Sequence, residues 1–217
     1  MIQNSYTAWL FCAALTLGGF GLGAAKVDAQ TTYPFEATYN VKIINTPLRQ
    51  TDAGLILDTI SSGESFNAPY GLTNVQTENY AFVDPNTGAI AYDTDPATYD
   101  LEGFPVGTTT LFGDGGDKVF GTNRGTISDG TVSGTITITG GEGRFIGATG
   151  TLDLSQTIIS SPDQTGVTAP VEAPAIISGS IQVPQAVPEP KTDAILVGIG
   201  AIGAGFLLRR CRHRSTV

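Results

Sequence analysis

Apolar and polar residues alternate with a period of two over short runs along most of this chain, and no long stretch repeats every 3.6 residues. That pattern predicts strands. The clearest case is 131–139: Val132, Gly134, Ile136 and Ile138 fall on one face, and Ser133, Thr135, Thr137 and Thr139 on the other. One buried face and one hydroxylated face mark an antiparallel sheet. The same reading predicts strands over 35–44, 55–62, 73–83, 108–112, 118–127, 133–139, 144–146, 150–160 and 176–183. Gly140, Gly141, Glu142 and Gly143 predict a turn, since glycine reaches positive φ without steric cost. Eight or nine short antiparallel strands in one domain predict a barrel or a sandwich. Between them, 80–105 reads as one long loop punctuated by Asp84-Pro85 and Asp95-Pro96, of a length that suits a lid or rim. Residues 160–174 read as a proline-bearing loop and 182–189 as a linker.

The two ends follow different rules. Residues 8–25 are apolar and glycine-containing, and Val27-Asp28-Ala29 is a small-x-small cleavage pattern before Gln30. This predicts a secretory signal spanning 1–29, cut between Ala29 and Gln30. At the other end three features stand in order. Val187, Pro188, Glu189 and Pro190 come first, and an apolar segment opening on Ala194 and closing on Leu208 follows. Arg209, Arg210, Arg212 and Arg214 close the chain. The basic cluster belongs on the cytoplasmic side of a membrane, which leaves the preceding domain outside. The uncharged stretch of 15 residues would be about 22 Å long as a helix, against about 30 Å of hydrocarbon. Snorkelling from Lys191 to Arg210 brings it to about 30 Å, a marginal span suited to a transient stop.

These C-terminal features resemble the PEP-CTERM sorting signal of Gram-negative bacteria and cyanobacteria: a VPEP-type motif, a short glycine-rich transmembrane segment and a terminal arginine cluster. The resemblance covers about 30 residues, and Lys191 stands where that family often has Ser or Thr. It implies processing near the motif by an exosortase, a membrane cysteine protease. It also implies an inner-membrane-tethered precursor that becomes a cell-surface or extracellular protein, in bacteria that make exopolysaccharide.

Composition matters once both ends are set aside. Between Gln30 and Val187 there are 5 basic and 17 acidic side chains, a net charge of −12, and no cysteine or histidine. Cys12 lies in the signal, and Cys211 and His213 lie in the tail. A Ser-His-Asp or Cys-His triad therefore cannot be assembled in this body, nor a zinc, copper or haem site built on His or Cys. An acidic body also argues against nucleic acid as a partner. The acidic region from Asp84 to Glu102 offers Asp93, Asp95, Asp100 and Glu102 as oxygen ligands for calcium, and the pair Asp114 and Asp117 is a second such group. Both read first as solvated turns, because Asp and Gly are ordinary turn residues and the EF-hand spacing is absent. No cofactor, metal site or catalytic residue is predicted.

A second resemblance selects between barrel and sandwich. Residues 135–154 (TITITGGEGRFIGATGTLDL) are similar to the glycine-rich signature of dirigent proteins and allene oxide cyclases, through Gly140, Gly141, Gly143, Arg144, Phe145, Gly147, Ala148 and Gly150. The resemblance covers about 20 residues, marks a hairpin, and implies an eight-stranded antiparallel barrel with a central cavity. The expected organisation is thus a signal peptide (1–29), a β-barrel (30–183) and a sorting segment (184–217). The expected function is a non-enzymatic structural or ligand-binding barrel whose partners are signal peptidase, exosortase, the membrane before cleavage, and exopolysaccharide or a small molecule. The alternative is a cyclase or isomerase. It would need acid/base groups gathered in the lumen, for which Tyr39, Glu64, Tyr80, Arg124 and Arg144 are the candidates.

Overall fold

A computed structural model describes residues 30–158, 167 and 169–185. The cleavage-site Ala29, the VPEP motif, the apolar segment and the arginine cluster lie outside the described residues. Among the described residues no helix is long and apolar enough to cross a membrane.

Nine strands make up the described unit, Gln30–Gln185: β1 (Gln30–Gln50), β2 (Leu55–Glu64), β3 (Asn74–Val83), β4 (Ile90–Asp93), β5 (Thr109–Phe112), β6 (Lys118–Ser128), β7 (Thr131–Glu142), β8 (Thr149–Thr157) and β9 (Val171–Pro184). Every pairing is antiparallel and the sheet closes on itself. The closing seam joins β1 to β9, from Gln30↔Pro184 to Ile43↔Val171. Closure removes the unpaired edges that an open sheet of this length would expose.

Nine strands occupy eight positions in the ring. β4 pairs with the end of β3 (Tyr80↔Asp93 to Val83↔Ile90) and with Arg124–Ile127 of β6. β5 pairs with the start of β3 (Asn74↔Phe112 to Thr77↔Thr109) and with Lys118–Gly121 of β6. The two are halves of one barrel strand, interrupted by an excursion over residues 94–108. Its neck is drawn shut by Gly107 N–H donating to the Thr94 carbonyl (2.8 Å) and Thr94 N–H donating to the Asn123 carbonyl (3.0 Å). The expected eight-position antiparallel barrel is therefore what the ladder builds.

Four sequence expectations are corrected. Residues 90–93 form a barrel strand inside the stretch expected to be one loop, since two proline turns flank an Ile-Ala-Tyr-Asp run of alternating burial. Residues 144–146 were expected as a strand, but Gly143–Phe145 is a 3-10 turn. Gly140 and Gly141 were expected in the turn and belong to β7, whose connection to β8 starts only at Gly143 (φ 64°). The final strand starts at Val171, earlier than the expected 176, with Pro174 inside it. The residues from Val171 to Pro174 pair with β1 alone, because the β8 ladder ends at Gln156↔Ala175, and a strand with one neighbour tolerates proline.

Inward alternation fills the barrel in layers. Phe35, Leu111, Val119, Ile138, Leu152 and Ile181 close one end from the walls. Two connections plug it from below: the β2–β3 link inserts Leu72, and the β7–β8 link inserts Phe145 and Ala148, all fully buried. Tyr33, Tyr70 and Phe145 meet edge-to-face under this floor, with centroids 5.3 to 6.2 Å apart. A second apolar layer of Leu57, Ala81, Ile90, Tyr92, Val132, Ile158 and Val171 occupies the opposite half.

Candidate functional site: a polar layer in the barrel lumen

Between these two apolar layers lies a cavity of about 80 Å³, partly open to solvent. Apolar walls come from Val41, Val75, Ile136, Leu154, Ala175 and Ile177. Its polar groups are Asn45, Thr59, Ser61, Thr77, Asn79, Tyr92, Asn123 and Gln156. Among the described residues, none that lines it carries a formal charge. A lumen that is mostly apolar with a few polar groups has the general form of a small-molecule site.

The interrupted strand accounts for part of the polar layer. Where β4 stops and β5 has not begun, β3 and β6 face each other across a gap, and Asn79 Nδ2 donates to Asn123 Oδ1 (3.3 Å) beneath the neck of the excursion. Thr94, buried at that neck, keeps its hydroxyl within 3.3 Å of both the backbone N–H and the carbonyl of Asn123. On neighbouring positions the Thr77 and Thr109 hydroxyls share a hydrogen bond of 3.1 Å. Gln156 Nε2 donates to the Ala173 carbonyl (2.9 Å) at the end of β9 that β8 no longer pairs.

Among the described residues, three buried polar atoms remain without a hydrogen-bond partner: Thr59 Oγ1, Asn79 Oδ1 and the Tyr92 hydroxyl. Their residues are 7%, 5% and 7% exposed. A buried polar atom left unpaired carries a desolvation cost, so native interiors rarely keep one. Tyr92 is the most informative. Its side chain crosses from β4 over the paired Gly125 and Gly134 of β6 and β7, and a β-carbon at either glycine would overlap its hydroxyl. The two glycines form a notch that fits a tyrosine, yet the hydroxyl seated in it bonds to nothing. Burial pushes the Tyr92 phenol well above its ordinary range, so it stays protonated and remains a donor.

The acid/base candidates of the cyclase alternative are not brought together. Only Tyr39 enters the barrel, where it is fully buried and its hydroxyl donates to the Leu72 carbonyl (2.5 Å), fixing the floor plug. Tyr80 points outward and donates to the Pro105 carbonyl (2.8 Å) of the excursion. Glu64 and Arg124 are exposed. Arg144 lies at the floor end: its backbone N–H and Nε both donate to Asp117, at 2.8 and 2.7 Å. Asp117, one of the calcium candidates, is thereby occupied by an arginine. The Asp84 carboxylate closes its own turn, accepting from Asn86 N–H and the Thr87 hydroxyl (both 2.8 Å). Asp93 and Asp95 cap the 3-10 turn that opens the excursion, accepting from Asp95 N–H (2.8 Å) and Ala97 N–H (3.0 Å).

The 94–108 excursion is not a lid over the lumen, as its length suggested. It lies against the outer wall, where Leu101 and Tyr99 pack on Ile56, Tyr80 and Phe82. Arg49 at the end of β1 holds it by donating to the carbonyls of Tyr99 (2.7 Å) and Asp100 (3.2 Å). Of the signature residues, Gly140, Gly141, Gly143, Arg144, Phe145, Gly147 and Gly150 all fall in or beside the β7–β8 connection at the floor, away from the cavity lining. Sequence reasoning missed Thr59, Asn79, Tyr92, Asn123 and Gln156. Their signal was parity: in β3 the inward set Val75, Thr77, Asn79, Ala81 carries two polar side chains where an apolar face was expected.

No protein-family model matches the chain, and no curated protein matches it. Among solved structures, a pterocarpan synthase dirigent protein, GePTS1, aligns with 76% of this chain and 95% of its own, at 12% identity and a TM-score of 0.41. The barrel described above rests on the chain's own strand ladder.

Proposed function

We propose that this protein is an exported, non-enzymatic β-barrel of the dirigent-like type, sorted through a PEP-CTERM signal to the cell surface or matrix, whose lumen holds a small molecule. The binding half of this reading is carried by one observation: a largely apolar cavity that keeps three buried, unpartnered polar atoms, Thr59 Oγ1, Asn79 Oδ1 and the Tyr92 hydroxyl. The export half rests on the ordered ends of the sequence: the signal before Gln30, then Val187 to Pro190, the apolar segment and the arginines. The cyclase alternative has no such support, because its candidate groups are spread over the outer wall and the floor.

The deciding experiment for export is the intact mass of the protein taken from its native envelope and medium. A mass running from Gln30 to about Pro190, with or without an added group, is expected. A mass that retains the arginine tail in every fraction overturns processing at the VPEP motif.

A further inference from the structure

We infer that the lumen selects an uncharged, mainly apolar molecule that carries both a hydrogen-bond acceptor, such as a carbonyl or ether oxygen, and a hydroxyl. The inference rests on the lumen-binding reading and gives it a ligand class.

The argument is one of matching leftover groups. Three polar side chains around the cavity are already used within the wall: Thr77 on Thr109, Asn123 on Asn79, and Gln156 on the Ala173 carbonyl. Buried and left over are a phenolic donor on Tyr92, a hydroxyl on Thr59 that can donate or accept, and the outer end of the Asn79 amide. A ligand acceptor answers Tyr92, and a ligand hydroxyl answers Asn79 or Thr59. The remaining wall is Val, Ile, Leu and Ala, which rewards apolar surface.

Charge is excluded by what the wall lacks. None of the described lining residues is Lys, Arg, His, Asp or Glu. An ionised carboxylate or amine would lose its water with no counter-charge to replace it. Tyr92 cannot act as that counter-charge, being held neutral by burial.

Photoaffinity labelling tests this on the full chain in phospholipid vesicles. Three probes share one reactive ketone: benzophenone, 4-hydroxybenzophenone and 4-benzoylbenzoate. We expect 4-hydroxybenzophenone to label peptides of β3, β4 and β7 at a concentration about tenfold lower than benzophenone, while 4-benzoylbenzoate leaves them unlabelled. Thr59→Val should remove most of the tenfold preference for the hydroxylated probe, while labelling by plain benzophenone persists and shows that the lumen is intact. Tyr92→Phe should move labelling by benzophenone and by 4-hydroxybenzophenone to higher concentration alike, because both present the same ketone to the phenol. Equal labelling of the lumen by all three probes, or a Thr59→Val and a Tyr92→Phe protein that both label as the parent does, overturns the ligand class and leaves lumen binding standing. If no probe labels lumen peptides, the lumen-binding reading itself fails.

Discussion

Tyr92 and its glycine notch make the sharpest residue-scale test. The hydroxyl is buried without a partner, so removing it relieves a cost. Tyr92→Phe should leave the ligand-free melting temperature unchanged or raise it. Gly134→Ala should do the reverse, because the new methyl overlaps that hydroxyl and also approaches the Arg124 carbonyl at 2.9 Å. Overpacking of this kind costs about 1–3 kcal/mol. Combining Gly134→Ala with Tyr92→Phe should recover about 1 kcal/mol of the loss, the part owed to the hydroxyl, in a double-mutant cycle read by thermal unfolding. Additive effects would mean that the notch does not hold the tyrosine.

Asp117 supplies a second test at this scale. Its pKa is lowered, first by the Arg144 backbone N–H, and then by the guanidinium's hydrogen bond and charge. Asp84 is lowered by Asn86 N–H and then by the Thr87 hydroxyl. A carboxylate whose folded pKa is depressed stabilises fully above its unfolded value, near 3.9, and loses that contribution as the pH falls through the folded pKa. The melting temperature should therefore drop on acidification below about pH 4. An Asp84→Asn/Asp117→Asn variant should show a shallower drop over the same window. An identical acid limb in both proteins would remove these two turns from the acid response. The turn role was legible in the sequence, but the anchor at Asp117 was not, because spacing could not show that Arg144 returns to Asp117 from 27 positions away.

Strand existence was readable because alternation survives wherever one face is buried; what failed was continuity. The sequence analysis treats 80–105 as one loop because Asp84-Pro85 and Asp95-Pro96 bracket only a short apolar run. In the ring, four residues suffice for β4, since β3 and β6 are present on both sides to pair with it. Long-range pairing supplied what local propensity lacked. The same interruption set the polar layer in place, so the site was hidden along with the strand break that makes it. The excursion's position on the outer wall yields an expectation. Leu101→Ala empties a contact among Ile56, Tyr80 and Tyr99 and should cost about 2–4 kcal/mol, near the usual range for a buried leucine. Because that contact lies outside the ring, lumen labelling by benzophenone should be unaltered. A variant that loses lumen labelling while still folded would mean that the excursion supports the cavity through the β4–β5 break.

At the scale of the whole molecule, the barrel is closed by its first and last strands, so the integrity of the ring depends on where the ends are cut. The seam begins at Gln30↔Pro184 and runs inward without a register shift to Ile43↔Val171. A signal cut between Ala29 and Gln30 stops one residue short of the first pair. A cut anywhere from Val187 to Pro190 falls at least two residues beyond the last. Under the proposed processing, maturation at both ends would therefore remove no ladder pair and neither plug of the floor. The floor depends on Leu72 and Phe145, which lie far from both ends in sequence. The precursor and the processed protein should then melt within about 2 °C of each other, and their amide protection along β1 and β9 should coincide. This follows because a change of about 1 kcal/mol moves the melting temperature of a domain this size by about 2–4 °C. Deletion from Val171 onward should instead abolish cooperative unfolding, since it leaves β1 and β8 as open edges. If processing alone lowered the melting temperature by more than about 5 °C, the ends would be contributing to the barrel, and the sorting segment could not be the separable tag that its sequence implies.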